Sequence, residues 1–422
     1  GYLPHPALAL RVRQPGGRNH LEVMPRQVLE HGLVVLLQGI SSTLVGIAKG
    51  RRLGKFSAGK LAAVLLRGRP LAVRGLMMAH QEEGLVENEM AGLGFLRALR
   101  AGSVRSTGQV TGRDDERSDF EVGPGVTSVK KGDHVSASFI PSCGRCPSCS
   151  TGHQNLCDLG ALMGLGLQIS DGTSRHHAQG KDLTLMCMLG TFAHHTVVNE
   201  ASCIKIEKDV PLDKACLLGC GVVTGWGSAV YAADVSPGDT VVVVGVGGIG
   251  ANAIQGARLA GAKRIVAIDP IEFKREKAME FGATHTFPSM ADAMMSVMEM
   301  TYGQMADRVI MTPCVVHGEM MGEAMNLAGK GSTVVVTAIS PMTSEVANIN
   351  LFQLAMWNKE IKGTIFGSMN PRADIPALLD MYRAGQLKLD ELVTNTYKLE
   401  DINEGYEAMR DGTNIRGVIV NA

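Results

Sequence analysis

The stretch that decides the fold is VVVVGVGGIG, residues 241–250, in which a run of four valines leads into the glycine pattern G-x-G-x-x-G. A second apolar run, RIVAI at 264–268, follows and ends at Asp269, 19 residues after Gly250. A strand, a glycine-rich turn, a helix and a second strand ending in an acid together form a dinucleotide-binding unit. The pattern therefore predicts such a unit, although a glycine-rich turn without a ligand would also satisfy it.

The polar and glycine positions of this unit each have a predicted role. Asp269 would accept hydrogen bonds from the ribose hydroxyls, and its charge would repel a 2′-phosphate, which favours NAD over NADP. Lys274 follows shortly after, where it either contacts the ribose or is solvated. Four glycines allow a tight turn and let backbone N–H groups approach a pyrophosphate at the helix N-terminus. They are Gly245, Gly247, Gly248 and Gly250.

Outward from this unit, apolar runs and helical stretches alternate over residues 241–365, and the later runs are RVIMTP, STVVVTA and EIKGTIF. Alternation at this spacing predicts an α/β fold with a doubly wound, parallel Rossmann sheet. The preceding residues 121–138, EVGPGVTSVKKGDHVSAS, contain two short β-branched runs around Gly-Pro-Gly and Lys-Gly-Asp turns. This second pattern is typical of β-hairpins.

Four cysteines lie close together in a loop ahead of the sheet, with the spacing C-x2-C-x2-C-x7-C. Four thiolates at such short spacing suit a closed tetrahedral zinc site, which would hold a lobe together and perform no chemistry. A pair of disulfides is the alternative, and the long last gap does not match the usual iron–sulfur spacings. The predicted ligands are Cys143, Cys146, Cys149 and Cys157.

A third motif, Gly219-Cys220-Gly221 followed by TGWGSAV at 224–230, precedes the glycine turn by about 25 residues. Taken alone, Cys220 is as well explained as a buried apolar residue as by metal binding. Together with the glycine turn, Asp269 and the four-cysteine loop, however, the motif resembles the zinc-dependent medium-chain alcohol dehydrogenases. Segments at 187–198, 366–375 and 384–394 resemble the nitrosoaniline-dependent, or nicotinoprotein, branch and the related thiol-dependent formaldehyde dehydrogenases.

The resemblance implies a set of expectations that the residues alone do not give. It implies that Cys220 is a ligand of a catalytic zinc that polarises an alcohol, and that NAD accepts the hydride. Thr224 would lie near the nicotinamide, and Arg416 would reach the pyrophosphate. Adjacent His194 and His195 would point to opposite faces of a strand-like run, so we assign them no catalytic role.

The same resemblance implies an architecture of two domains and an assembly. A mainly β, GroES-like catalytic domain would be formed by residues 1–221 and 366–422, and the dinucleotide-binding domain by residues 222–365. Homo-oligomers would form by edge pairing of the parallel sheet. The resemblance itself is carried by residues 121–422, and residues 1–120 are not readable as family sequence.

The N-terminal region is unusual in charge as well as in pattern. Residues 1–80 carry a formal charge of +10, with only Glu22 and Glu30 as acids, and the chain has no cysteine before Cys143. The windows where the family places its other catalytic-zinc ligands hold 91–95, AGLGF, and 112–114, GRD, which contain no such ligand. Either the region has diverged and lost the second zinc, or residues 1–120 are not the natural translation, for example a stretch read out of frame.

Overall charge and hydropathy narrow the classes of function. The chain of 422 residues has 41 basic and 41 acidic side chains, so no global basic field favours nucleic acid or a membrane surface. No run reaches the roughly 20 apolar residues of a spanning helix, and no secretion signal is seen, so we expect reduced cysteines in the cytoplasm. The expected partner is a small alcohol or aldehyde. A thiol-dependent formaldehyde dehydrogenase and a silent NAD-binding protein are the alternatives.

Overall fold

The structure is a computed structural model that describes residues 10–11, 21–22, 97–98, 121–169, 171–341, 344 and 346–420. The chain divides into two compact units, 1–88 and 89–422. In the first unit the described residues form one antiparallel pair of two-residue strands. The predicted ligand windows at 91–95 and 112–114 lie outside the described residues. Apart from this pair of strands, all elements described below belong to the second unit.

The strands and helices have the following bounds. The strands are β1 Leu10–Arg11, β2 Leu21–Glu22, β3 Arg97–Ala98, β4 His134–Ala137, β5 His177–Ala178, β6 Lys181–Asp182, β7 Cys203–Ile206, β8 Thr240–Val244, β9 Arg264–Ile268, β10 His285–Phe287, β11 Ala306–Met311, β12 Ala328–Val336, β13 Glu360–Gly363, β14 Val393–Tyr397 and β15 Arg416–Val420. The helices are α1 Pro147–Ser150, α2 Leu212–Ala215, α3 Gly221–Gly227, α4 Gly248–Leu259, α5 Glu272–Phe281, α6 Met290–Met300, α7 Gly318–Leu327, α8 Leu351–Met356, α9 Pro371–Arg383 and α10 Ile402–Arg410.

A six-stranded parallel sheet forms the centre of the described chain, in the order β10-β9-β8-β11-β12-β13. Numbered from β8, this is the order 3-2-1-4-5-6 of a dinucleotide-binding sheet, whose ligand crevice lies where the order reverses, between β8 and β11. The predicted α/β fold is confirmed. The strand β10 was not singled out in the sequence, because it has only three residues and a single large apolar side chain, Phe287.

The sheet is buried because its strands are nearly continuous runs of β-branched residues. Every residue of β8 is buried, and helices cover the sheet so that two apolar clusters form on its faces. The helix α4 packs closely on α3, since a Cβ built on Gly225 would overlap the carbonyl of Ile249. Helix α4 therefore places its N-terminus, at Gly248, directly at the crevice.

The residues on either side of the sheet contain short strands in three further groups. β4 pairs with β7 antiparallel, β5 pairs with β6, and the order β14-β15-β3 forms a parallel group of three. The predicted hairpin within 121–138 is wrong. Residues 126–129 form no strand, and β4 pairs with a strand much later in the chain, because Pro124 and two glycine turns leave only one run long enough to pair.

The C-terminal segment contacts the residues near the four-cysteine loop. Arg372 Nε donates to the carbonyl of Ser142 at 2.7 Å, and Asn155 Nδ2 donates to the carbonyl of Ile365 at 3.2 Å. The contact of Arg372 agrees with a catalytic domain built from both flanks of the sheet, whereas Ile365 is the last residue of the predicted dinucleotide-binding domain; the domain bounds stay a prediction. Within the described residues no single helix is long and apolar enough to span a membrane. One bent pair of helices, Leu212–Gly219 and Gly221–Ala232, has the length and composition of a membrane span when the two are taken together.

Candidate functional site

The four predicted cysteines of the loop come together in space. The four sulfur atoms of Cys143, Cys146, Cys149 and Cys157 all lie within 4.8 Å of one another, and every one is a free thiol. Sulfurs at about 2.3 Å from a tetrahedral zinc would lie about 3.8 Å apart, and the Sγ atoms of Cys146 and Cys157 are 3.9 Å apart. The donor set and its spacing therefore fit a zinc ion with all four positions filled by sulfur.

The backbone of this loop, which we call the cysteine lobe (residues 143–158), is arranged around the sulfurs. The amide of Cys146 donates to Cys143 Sγ at 3.3 Å, and the amides of Cys149 and Asp158 each donate to Cys146 Sγ at 3.4 Å. Such N–H donors stabilise the negative charge of thiolates. Pro147 at the start of α1 fixes the turn between the second and third cysteine.

The thiols of the cysteine lobe differ in acidity. Burial opposes ionisation of Cys143, but hydrogen bonds from the amides of Arg145 and Cys146 outweigh it and lower its pKa to about 7. Burial raises the pKa of Cys149 and raises that of Cys157 to about 12. One thiol is therefore ready to ionise near neutral pH, and a bound divalent cation would deprotonate the others.

At the crevice of the sheet, the glycine turn has the backbone that the sequence predicted. Gly245 has φ +91°, and a Cβ built there would meet Pro313. A Cβ on Gly250 would overlap the carbonyl of Gly245, so this position needs glycine for close packing of the turn. Around Gly247, the N-cap of α4, there is open space where a side chain would otherwise begin. An anion can therefore approach the N-terminus of α4 closely at Gly247.

Asp269 lies at the carboxyl end of β9, where the sequence placed it, and is 5% exposed. Its Oδ2 accepts from the amide of Val246 at 2.8 Å, and its Oδ1 accepts from the amide of Ile271 at 3.0 Å. Because each carboxylate oxygen can accept more than one hydrogen bond, both keep capacity for a ligand hydroxyl. The first bond also ties the carboxylate to the glycine turn, so Asp269 both shapes the turn and faces the crevice.

Two basic residues were predicted to approach the cofactor. Arg416 lies half-buried between the starts of α3 and α4, since a Cβ on Gly221 or on Gly248 would overlap its guanidinium. Burial lowers its pKa, and the thiols of Cys220 and Cys216 act in the opposite direction. Lys274 stands in the first turn of α5, and its aliphatic chain lies near Gly412. Arg416 thus lies beside the glycine turn, whereas the contact of Lys274 is with the C-terminal segment.

The start of α3 brings the other predicted site residues to the same crevice. Cys220 is the N-cap of α3. Burial raises the pKa of its thiol to about 11, although the charge of Arg416 and the nearby Thr224 hydroxyl act to lower it. Thr224, one turn later, is 5% exposed, and its Oγ1 has no partner with hydrogen-bond geometry among the described residues. A buried hydroxyl without such a partner costs free energy unless a ligand satisfies it. The Thr224 hydroxyl therefore marks a place where a polar group of a bound ligand fits.

The described residues do not assemble a second metal site. Within the ranges given above, the cysteine lobe is the only group of three or more Cys, His, Asp or Glu ligands within reach of one ion, and Cys220 does not belong to it. His194 and His195 are both exposed in a segment without strand structure, and neither belongs to a group of three or more potential ligands in the described part of the chain. Cys220 thus belongs to no group of three or more potential ligands among the described residues.

Sequence reasoning did not single out a row of threonines at the crevice. Thr312, Thr337 and Thr364 each follow directly on the last residue of β11, β12 and β13. Since parallel strands share a carboxyl edge, the three side chains lie along the second half of the sheet. The signal that could have found them is a threonine immediately after each of the runs RVIM, STVVV and EIKG.

Comparisons with known proteins agree with this fold and site. Residues 120–208 match the family described as alcohol dehydrogenase GroES-like domain, and residues 248–384 match zinc-binding dehydrogenase. A nitrosoaniline-dependent ("NDMA-dependent") alcohol dehydrogenase of Amycolatopsis methanolica is 46% identical over 367 residues, which cover 86% of this chain and 99% of that protein. This match is longer than the stretch 121–422, so it extends further toward the N-terminus than the sequence pattern indicated.

A more distant relative and a solved structure complete the comparison. The S-(hydroxymethyl)glutathione dehydrogenase of Paracoccus denitrificans is 33% identical over 374 residues, covering 86% of this chain and 99% of that protein. The crystal structure of an alcohol dehydrogenase zinc-binding domain protein from Burkholderia ambifaria superposes with a TM-score of 0.66 at 28% identity, covering 71% of this chain and 80% of that one.

Fold, cysteine lobe and glycine turn together define a zinc-binding, nicotinamide-dependent dehydrogenase. The chain belongs to the zinc-dependent alcohol dehydrogenase family, with a GroES-like domain beside a Rossmann sheet. It is an alcohol dehydrogenase that uses zinc and NAD.

Proposed function

We propose that this chain interconverts a primary alcohol and its aldehyde with NAD(H) held across the carboxyl edge of the six-stranded sheet. The observation that carries this assignment is the open backbone at Gly247 next to Asp269, whose carboxylate is oriented by two amides and keeps lone pairs for a ligand. NAD supplies the hydride acceptor when it is bound. The chain's own residues bind, orient and shield it, as the following paragraphs derive from one end of the crevice to the other.

At the adenosine end, Asp269 holds the ribose. Two amides fix the orientation of its carboxylate, so the remaining lone pairs face the crevice without any rearrangement on binding. A 2′-phosphate would bring a second negative charge to this buried group, which explains a preference for NAD over NADP. Lys274, on the first turn of α5, is in reach of the same ribose.

At the centre, the pyrophosphate lies over the glycine turn. The N-terminus of α4 offers amides and the positive end of its dipole at Gly247 and Gly248. Arg416 adds a guanidinium that is already placed between α3 and α4, so little side-chain entropy is lost when it meets the phosphates. The remaining glycines, Gly245 and Gly250, let the chain turn tightly enough for this approach.

At the nicotinamide end, the ring lies beside the start of α3 and over the ends of β11 to β13. Thr224 donates or accepts through its buried hydroxyl, which has no partner with hydrogen-bond geometry among the described residues. Cys220 lies one turn earlier, and we assign it as one ligand of the catalytic zinc. The windows where the family places its other ligands, 91–95 and 112–114, contain none, so this assignment requires that the natural N-terminal region supply the other ligands and the proton relay.

We further propose a cytoplasmic homo-oligomer formed through the edge of the sheet. Among the described strands, β13 pairs with β12 only, so its other side is an open edge. The helix α8, which precedes β13, exposes Leu351, Phe352 and Met356 at 68%, 67% and 67%. Two copies related by a two-fold axis could pair their β13 strands and cover these apolar side chains. Sedimentation at a single mass of 44.8 kDa would contradict the assembly.

The experiment that tests the cofactor assignment is equilibrium binding of NADH and NADPH to the purified protein, followed by nicotinamide fluorescence. We expect NADH to bind more tightly than NADPH by at least about tenfold, since the 2′-phosphate meets Asp269. Equal affinities, or tighter binding of NADPH, would show that Asp269 does not face the adenosine ribose.

A further inference from the structure

Three consecutive residues after β13 have a left-handed backbone. Phe366, Gly367 and Ser368 have φ +57°, +64° and +61°. Two of them carry side chains, and residues with side chains rarely adopt such a conformation unless the surroundings enforce it. We call residues 364–368 the left-handed turn. The residues packed around the left-handed turn enforce its conformation, and the turn itself supports helix α3.

Contacts from three directions hold the left-handed turn. The hydroxyls of Thr364 and Ser368 are 2.8 Å apart and close the turn on itself. Phe366 is 1% exposed and packs edge-on against Phe139, with 5.4 Å between ring centroids. From the cysteine lobe, Asn155 Nδ2 donates to the carbonyl of Ile365 at 3.2 Å.

Asn155 is a buried side chain of the cysteine lobe that reaches out of the lobe. It lies two residues before Cys157, is 8% exposed, and its side-chain hydrogen bond leads to the left-handed turn, 210 residues further along the chain. Its neighbour Gln154 differs, since Gln154 Nε2 donates to the carbonyl of Cys149 at 3.1 Å and so stays within the lobe.

The opposite side of the left-handed turn lies directly against α3. A Cβ built on Gly367 would come within 2.7 Å of the Thr224 carbonyl and 2.8 Å of the Val223 carbonyl. A Cβ built on Gly227 would lie 2.4 Å from the Gly367 carbonyl, so the two segments are in backbone contact. The first turn of α3, which carries Thr224, cannot shift toward the left-handed turn without a clash.

A hydroxyl chain fixes the same turn of α3 from the sheet. Ser228 Oγ donates to the Thr224 carbonyl at 2.6 Å and lies 2.9 Å from the hydroxyl of Thr337, at the end of β12. Ser228 is completely buried. Thr224 is therefore held between the sheet on one side and the left-handed turn on the other, and Asn155 supplies one of the contacts that hold the left-handed turn.

We propose that Asn155 is a positioning residue, which couples the cysteine lobe to the nicotinamide end of the crevice through the left-handed turn. Asn155 donates a hydrogen bond to the Ile365 carbonyl and so holds the left-handed turn. The left-handed turn packs against the first turn of α3, which keeps the Thr224 hydroxyl in place for the ligand. The zinc lobe thus sets the geometry of the cofactor site at a distance, in addition to stabilising the fold. This inference rests on the proposed placement of the nicotinamide beside Thr224.

The test compares Asn155→Ala with Gln154→Ala in the zinc-loaded protein, using NADH and ADP-ribose as probes. ADP-ribose has the adenosine and pyrophosphate but lacks the nicotinamide, so it reports only the part of the crevice away from Thr224. We expect Asn155→Ala to weaken NADH binding about threefold to tenfold, the effect of one lost hydrogen bond, and to leave ADP-ribose binding and zinc per chain unchanged. Gln154→Ala should leave both affinities unchanged.

A second variant keeps the test independent of the lobe. Ser368→Ala removes the hydroxyl pair with Thr364 and touches no residue of the cysteine lobe, so it should give the same selective loss of NADH affinity even if Asn155→Ala sheds its zinc. Equal weakening of both probes, or no change in NADH affinity in the variant that keeps its zinc, would overturn the coupling. Failure of the parent protein to bind ADP-ribose would instead overturn the proposed cofactor site on which the coupling rests.

Discussion

The cysteine lobe and the start of α3 both contain thiols that were predicted from the sequence to bind zinc, but the two regions differ in how many potential ligands they bring together. In the cysteine lobe, four sulfurs from one short loop meet within 4.8 Å, with backbone amides already directed at two of them. At the start of α3, Cys220 lies without a comparable group of ligands among the described residues. A site whose ligands are close in sequence is complete as soon as its loop folds, whereas a site built from distant segments depends on all of them.

The two regions also differ in what surrounds the sulfur. Amides lower the pKa of Cys143 to about 7, so one thiol of the lobe favours thiolate, whereas burial raises the pKa of Cys149 and of Cys157. Burial raises the pKa of Cys220 to about 11. The charge of Arg416, which we assign to the pyrophosphate, acts to lower this pKa but does not outweigh burial. The cysteine lobe is therefore prepared for a metal by its own backbone, while Cys220 needs further groups to become a thiolate. Cys146→Ser and Cys220→Ser test this contrast directly, Asp269→Asn tests the cofactor crevice, and Asp133→Asn lies away from both regions and is expected to have the smallest effect.

The largest effect is expected for Cys146→Ser. Cys146 accepts amides from Cys149 and Asp158, and its loss leaves three thiolates on a closed site. Zinc per chain should fall by one, and the free energy of unfolding should decrease on the order of 3 kcal/mol. Metal analysis and denaturant unfolding measure the two effects. Ser148→Ala is the control, because the Ser148 hydroxyl donates to the exposed Asp158 carboxylate and not to a sulfur, and a similar loss there would contradict a specific metal site.

The second effect is on turnover rather than on stability. Cys220→Ser should reduce alcohol oxidation by at least about 100-fold while NADH binding and the zinc of the cysteine lobe are retained. Cys216→Ser is the matched control, since Cys216 lies four residues earlier and its Sγ donates to the carbonyl of Asp213; NADH affinity is measured in both variants because both thiols also act on Arg416. Full activity in Cys220→Ser would identify Cys220 as a packing residue.

The third effect is on cofactor affinity. Asp269→Asn keeps the shape of the side chain and removes its charge, so NADH binding should weaken about tenfold or more and discrimination against NADPH should relax. Asp269→Gly is a less selective change, because it also removes the acceptor of the Val246 and Ile271 amides and so disturbs the glycine turn itself. An Asp269→Asn protein that binds both nucleotides as the parent does would contradict the assignment.

The smallest effect is expected at β4, away from both regions. Burial opposes ionisation of Asp133, but the hydrogen bond and charge of Lys205 and the amide of Lys130 lower its pKa below 3.8. A carboxyl with a lowered pKa stabilises the folded state above its unfolded pKa, and this stabilisation is lost as the pH falls through 3.8 toward the folded value.

Asp133→Asn should therefore lower the free energy of unfolding by about 1 kcal/mol at neutral pH. The difference from the parent should shrink in acid. Thermal unfolding of the parent and the variant across the acid range measures this, with zinc content and NADH affinity unchanged at neutral pH. A difference that stays constant down to the lowest pH would mean that the carboxylate contributes nothing through its charge.

Much of the fold could be predicted because its signals are local. The valine run of β8, the glycine turn and Asp269 all lie in the single stretch 240–269, and the backbone angles of Gly245 and the bonds of Asp269 agree with the predicted unit. The cysteine spacing was equally informative, since four ligands in one loop leave few other arrangements. Both predictions depend only on chain geometry over short distances.

What the sequence did not reveal depends on contacts between distant segments. The three-residue β10 has too few apolar positions for a pattern, and residues 126–129 have a strand-like composition without a partner strand. The threonines at the ends of β11, β12 and β13 are ordinary in sequence and meet only because the strands are parallel. The link from Asn155 to Ile365 joins residues 210 positions apart, and nothing in either neighbourhood indicates it.

The most direct test of the central claim is to mix the purified, zinc-loaded protein with NAD and a series of primary alcohols and to record the absorbance of the reduced nicotinamide. A single turnover is sufficient, so the measurement works whether the cofactor exchanges or stays bound. The account predicts reduced nicotinamide in proportion to the protein, formed with at least one alcohol and abolished in Cys220→Ser. A protein that binds NAD and its full complement of zinc but forms no reduced nicotinamide with any alcohol would contradict it.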